Sequence, residues 1–328
     1  MGWKIPFLCI LIMIGLSCRK SNYSPYVPPP LTDSLMDWTV ISTLPNKFLE
    51  DIWFTSSQKG FLLADQLYQS MDGGNSWAVV PNTTTIKNFD YLFFVNAKNG
   101  FAYDSARLAA TVDGGATWTV KPLPTNTVSN MFFVDAATGF YSDKTGGSLR
   151  ETIDSGNTWN HLAKNSAQRD IYYPFFFDAD SGYIATGQGI FASTTDRGTN
   201  WNSSLQYMIF NGFSLDYNSY NQLLFLDRQK GFYAYPGGVI ETNDGGQTWE
   251  HTLNGTIDIV CINNIIRFPD PNTGYYKGGL GIYKTSDGGS SWSLNCRLGT
   301  EVFTGMSFID NHTGWACTSR GRILKIQQ

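Results

Sequence analysis

The feature that most constrains this chain is an eight-residue pattern, S/T-x-D-x-G-x-S/T-W, which occurs six times. The copies lie at 70–77 (SMDGGNSW), 111–118 (TVDGGATW), 152–159 (TIDSGNTW), 194–201 (TTDRGTNW), 242–249 (TNDGGQTW) and 285–292 (TSDGGSSW), and only the fourth departs, with Asn200 in a Ser/Thr place. The closing tryptophans advance by 41, 41, 42, 48 and 43 residues. A fixed period of that length implies one supersecondary unit per step, each burying its apolar face against its neighbours.

A second pattern, F-x-D/N-x-x-x-G-aromatic, runs in phase with the first and occurs seven times, with glycines at Gly60, Gly100, Gly139, Gly182, Gly231, Gly274 and Gly314. The first copy carries Ser56 where Asp or Asn stands in the others. Seven copies against six are reconciled if the last unit, 308–326, stops after its third strand and the Trp-bearing segment 37–41 supplies the fourth. The predicted fold is therefore all-β: a single seven-bladed β-propeller with four-stranded blades, closed by an N-terminal strand that completes the last blade. In blade one the spacing predicts strands over 48–54, 61–64, 67–70 and 77–80, separated by Gly-containing turns. The domain reading is a signal peptide over 1–18, a Pro-rich tether over 19–36 and the propeller over 37–328.

Composition agrees with this architecture: 33 glycines, 15% aromatic and only 15% charged residues suit many short strands and tight turns. A net charge of -4 without any Lys/Arg cluster argues against nucleic acid as a partner. Lys4 followed by an apolar run over 5–16 reads as a signal-peptide core, too short to span a membrane comfortably. It ends in Gly15-Leu16-Ser17-Cys18, similar to a bacterial lipobox although Leu16 lies two places before the Cys instead of three. Lipidation at Cys18 is the expectation, which would place the protein in the periplasm or at the outer membrane of a bacterium, with secretion as the alternative. The mature part then keeps Cys261, Cys296 and Cys317, whose pairing the sequence leaves open and whose spacing matches no zinc or redox site.

The chemistry of the first pattern is that of a turn. Its Gly supplies backbone with φ > 0, its Asp can accept the turn's own N–H groups and the Ser/Thr hydroxyls, and the Trp begins the outer strand. Asp72, Asp113, Asp154, Asp196, Asp244 and Asp287 are accordingly read as six copies of one structural part and not as metal ligands or acid/base groups. No phosphate loop or nucleophile elbow is present, the three histidines lack metal-ligand spacing, and no cofactor or metal is expected.

These boxes resemble the BNR/Asp-box repeat of sialidases, sortilin-type receptors, some endoglucanases and the photosystem II assembly and stability factors. Joined to the F-x-D-x-x-x-G-F pattern over 37–326, they look most like the last group, seven-bladed propellers that also occur in non-photosynthetic bacteria. The resemblance implies a scaffold binding membrane-protein subunits, and carries over no binding residue. Sialidase activity is not expected, because no Arg lies between Arg19 and Arg107 and sialidases have six blades. Another glycosidase would need two facing carboxylates about 5–10 Å apart. Asp65, Asp104 and Asp143 follow second strands and read as solvated loop residues.

The function read from the sequence is thus an extracytoplasmic, lipid-anchored binding or assembly scaffold for an envelope or membrane protein, with a carbohydrate-active protein as the alternative. Loops opposite the boxes supply the candidate binding residues Arg107, Lys144, Tyr235 and Arg320, together with the aromatic insertion Tyr207, Phe210, Phe213, Tyr217 and Tyr220 in the longest repeat. Glycan is the second candidate ligand.

Overall fold

The computed structural model describes residues 33–143, 148–162, 171–186, 191–204, 222–235, 238–254, 264–278 and 281–327. Its strands form seven separate four-stranded antiparallel sheets in a ring, a seven-bladed β-propeller. The innermost strands of blades one to seven are Asp51–Phe54, Tyr91–Phe94, Val128–Phe133, Ile171–Phe176, Gln222–Phe225, Ile265–Arg267 and Phe303–Phe308. Blade one continues with Gly60–Leu63, Leu67–Ser70 and Ala78–Val79, so its inner and outer strands are shorter than the alternation predicts. In the seventh sheet Trp38–Thr43 pairs antiparallel with Arg322–Gln327, Trp38 opposite Ile326 and Thr43 opposite Arg322. The N-terminal strand closes the ring as the repeat count requires.

Both halves of the second pattern have a packing reason. Its Phe pairs across the first hairpin with its Gly, as Phe54 does with Gly60, and a Cβ on Gly60 would stand 2.5 Å from that ring. The aromatic after each Gly stacks on the pattern Phe of the next blade: Phe61 on Phe94 at 5.0 Å, Phe101 on Phe133 at 3.8 Å, Phe140 on Phe176 at 3.8 Å. The series continues with Tyr183 on Phe225 at 4.2 Å, Phe232 on Phe268 at 4.6 Å and Tyr275 on Phe308 at 4.3 Å. Trp315 on Phe54, at 3.6 Å, brings the series back to blade one. Each pair is worth about 0.5–1.5 kcal/mol beyond the area it buries, and one stands at each of the seven blade interfaces.

The Asp or Asn of this pattern caps the hairpin turn. Asp135 Oδ1 accepts the N–H groups of Ala137 and Thr138, both at 2.7 Å, and Asn96, Asp178, Asp227, Asp270 and Asp310 repeat the arrangement. Ser56, the departure in blade one, does the same with its hydroxyl at 3.3 and 3.0 Å.

Candidate functional site

The ring has two unlike ends. At one, the hairpin turn of each of the first six blades meets the eight-residue turn of the same blade, Gly73 N–H donating to Gln58 O at 2.9 Å and Gly114 N–H to Lys98 O at 2.8 Å. Within that turn Asp72 accepts from Ser76 N–H (2.9 Å), Ser76 Oγ (2.6 Å) and Ser70 Oγ (2.8 Å), while Ser70 Oγ accepts from Gly74 N–H at 2.8 Å. Asn200 reproduces the Ser/Thr role, its N–H and Nδ2 donating to Asp196 at 2.9 and 2.7 Å. The Ser or Thr hydroxyl four places on, followed by the other turn donors, holds Asp72, Asp113, Asp154 and Asp287 down to about 2. Two consecutive residues of each turn have positive φ, Gly73 at 74° and Gly74 at 94° in blade one; Ser155 (61°) and Arg197 (64°) fill the first place without being glycine. This geometry is that of a structural turn whose carboxylate is already surrounded by donors.

At the opposite, loop end lie the three aspartates that follow second strands. Asp65 is exposed and accepts from Lys47 Nζ, at 2.5 Å, and from Tyr68 OH, at 3.1 Å; the Lys47 bond holds its carboxyl below the ordinary range. Asp104 and Asp143 are buried, against the reading of solvated loop residues, because each is engaged by nearby donors. Asp104 accepts from Ala106 and Arg107 N–H and from Arg107 Nε, at 2.8, 2.7 and 2.7 Å, and Asp143 from Thr127 Oγ1 at 2.5 Å.

Of the candidate binding residues, Arg107 is turned back on its own blade, with its guanidinium over Phe89 at 4.4 Å and donating to Lys87 O at 2.9 Å. Tyr235 is buried, its hydroxyl 3.2 Å from His251 Nδ1, and burial raises it to about 12. Arg320 is exposed at the tip of the last loop. Among the described residues no hydrogen bond, ion pair or ring contact joins these three to one another. Lys144, Tyr207, Phe210, Phe213, Tyr217, Tyr220 and the Cys18 lipidation site lie outside the described residues.

A charged cluster that the repeats do not announce lies where the innermost strands begin. Asp51 reaches from blade one to blade two, accepting Leu92 N–H with Oδ2 and Ile52 N–H with Oδ1, both at 2.9 Å. Lys277, fully buried at the end of Gly274–Lys277 in blade six, donates to Phe303 O at 2.8 Å in blade seven. Arg267 donates to Gln222 Oε1 at 3.0 Å and lies 5.8 Å from the Trp53 ring. Burial raises Asp51 to about 6 against the hydrogen bond from Leu92 and the charge of Arg267, and lowers Lys277 to about 7. Burial, then the charges of Asp90 and Asp51, raises neighbouring Glu50 to about 7. The sequence signal was weak: the places of Asp51 in the next two blades hold Tyr91 and Asn130. Among the described residues no group of three or more His, Cys, Asp or Glu side chains is arranged to hold a metal.

No protein-family model and no curated protein sequence matches the chain. Solved structures of the same fold do. One described as YCF48 bound to D1 peptide is 17% identical with a TM-score of 0.62, over 89% of this chain and 97% of that one. YCF48 from Cyanidioschyzon merolae is 15% identical with a TM-score of 0.61, over 89% and 98% of the two chains. The Niastella koreensis GH74 enzyme is 14% identical with a TM-score of 0.61 over 88% of this chain, which spans 53% of that enzyme. At these identities what is shared is the fold: the chain is similar in architecture to a peptide-binding propeller and to half of a GH74 enzyme.

Proposed function

We propose that the protein is an extracytoplasmic binding or assembly scaffold, held at a membrane by lipid on Cys18, whose partner is an envelope or membrane protein. The observation that carries this reading is that the three aspartates following second strands at the loop end are engaged within the ring: Asp65 by Lys47 and Tyr68, Asp104 by Arg107, Asp143 by Thr127. Asp51 is likewise bound to main chain of two blades. A glycosidase acid or nucleophile must instead face the substrate. The similarity to YCF48 bound to D1 peptide supports a protein partner.

The test is a crosslinking pull-down from the native envelope with residues 31–328 as bait. One enriched envelope protein is the expected result, and turnover of glycans at enzyme-like rates would sink the reading. The carbohydrate alternative draws on the similarity to the GH74 enzyme, and a glycan panel with neither binding nor hydrolysis would remove it.

A further inference from the structure

Of the seven rings that follow the hairpin glycines, six are closed off: Phe61, Phe140, Phe232, Tyr275 and Trp315 are 0% exposed and Phe101 1%. Tyr183, in blade four, is half-buried. Five of the six closed rings have a long side chain across the hairpin; Phe101 has Ala110 there and is closed instead by neighbouring rings, Phe93 at 5.5 Å and Phe133 at 3.8 Å. The residue paired with each ring in the third strand is Gln69, Ala110, Glu151, Glu241, Lys284 or Lys325, but Ser193 beside Tyr183. Long side chains there cover the seam between blades: Lys284 and Lys325 sit 5.7 and 5.2 Å over Tyr275 and Trp315. Glu151 receives Arg197 from the next blade at 3.1 Å. Ser193 is too short to do so, and a cavity of about 250 Å³ opens between blades four and five, lined by Tyr183, Phe191, Ser193, Asn202, Gly245 and Gln247.

The lining has a defined chemistry. Phe225 and Phe191 stack on Tyr183 at 4.2 and 5.0 Å and Phe177 meets it edge-to-face at 5.7 Å, so neighbouring rings fix its plane. Its hydroxyl is fixed on Arg228 O at 3.1 Å, which orients the platform. Ser193 Oγ and the Asn202 carboxamide have no hydrogen-bond partner among the described residues, and Gln247 uses its Nε2 on Asp244 O at 3.1 Å. A flat apolar ring face edged by a hydroxyl and two carboxamides, with no ionisable group but the Tyr183 phenol in the lining, matches the alternating C–H faces and hydroxyl edges of a neutral sugar. The volume falls below the roughly 300–1,000 Å³ of sites for larger ligands, so it suits one ring and not a chain.

We propose that the seam between blades four and five is a binding site for a single neutral pyranose, stacked against Tyr183 and hydrogen-bonded by Ser193, Asn202 and Gln247. It is separate from the loop end assigned to the protein partner. A ligand of this size binds with a Kd on the order of 1 mM. The experiment is saturation-transfer NMR on residues 32–328, which form a compact unit, with methyl β-glucoside, methyl β-galactoside and N-acetylglucosamine as probes. At least one probe is expected to receive transfer from aromatic protons. Ser193→Glu installs the side chain that blades three and five carry at this place and is expected to weaken binding at least tenfold with unchanged thermal unfolding. Tyr183→Phe, the residue of blades one, two, three and five, is expected to retain binding. No transfer to any probe, or transfer that survives Ser193→Glu in a folded protein, overturns the proposal.

Discussion

The two ends of the ring use the same side chain in opposite ways. At the turn end six aspartates sit near solvent, each surrounded by the donors of its own eight-residue turn, and four of them are held down to about 2. At the loop end Asp51 is buried between blades and rises to about 6, and Glu50 beside it to about 7. The first arrangement is local, so it can be copied into every blade. The second joins different blades; Gln222 makes the same reach from blade five to Ile266 N–H of blade six at 2.9 Å, but without a charge. Replaceable parts and a singular keystone should therefore answer differently to mutation and to pH.

The largest difference is expected between two Asp→Ala changes. Asp51→Ala leaves Leu92 N–H without its acceptor and removes the anion near Arg267 and Lys277, and should cost about 3–5 kcal/mol in urea unfolding. Asp113→Ala removes bonds from Thr117 N–H, Thr117 Oγ1 and Thr111 Oγ1 at an accessible turn and should cost about 1–2 kcal/mol. Equal costs would erase the distinction between the ends.

A pH series sharpens it. The turn aspartates bind protons less tightly folded than unfolded, so their stabilisation is present above about 4 and is lost as pH falls towards about 2. Glu50 and Asp51 bind protons more tightly folded, so stability declines as pH rises from about 4 through about 6 to 7. The denaturation midpoint should therefore be higher at pH 5 than at pH 7.5, and Glu50→Gln should flatten that decline while leaving the acid limb in place. A midpoint that rises from pH 5 to 7.5 contradicts the assignment.

Smaller effects test how interchangeable the turns are. Ser155 holds φ at 61° while its hydroxyl donates to Ala136 O at 2.8 Å, so Ser155→Gly trades a hydrogen bond for relief of strain and should change stability by less than about 1 kcal/mol. Asn200→Thr should move the thermal midpoint least, by the equivalent of under about 0.5 kcal/mol, because Thr117 and Thr158 already make the same two bonds to their own aspartates.

Whatever repeats was legible in the sequence. The blade count, the closure through Trp38 and the donors gathered around Asp72 all follow from positions that recur in phase, because each copy faces the same local problem. The stacked rings between blades were present in the second pattern, where the residue after each Gly is aromatic. What the sequence hid is what breaks the repeat: Asp51, Arg267 and Lys277 meet only after blades one and six, far apart in the sequence, are brought together in the ring. Ser193 matters through the length it lacks. Asp104 and Asp143 looked like solvated loop residues because their donors, Arg107 and Thr127, count only once the loop is folded back.

The closing strand also has a consequence in time. Among the described residues Trp38–Thr43 pairs with Arg322–Gln327, the last strand of the propeller. A chain synthesised from its N-terminus therefore carries this strand without its partner until the rest of the propeller has emerged, and the slow step of folding should be the closing of the ring. Until then one bare strand has to be kept from pairing with the wrong neighbour.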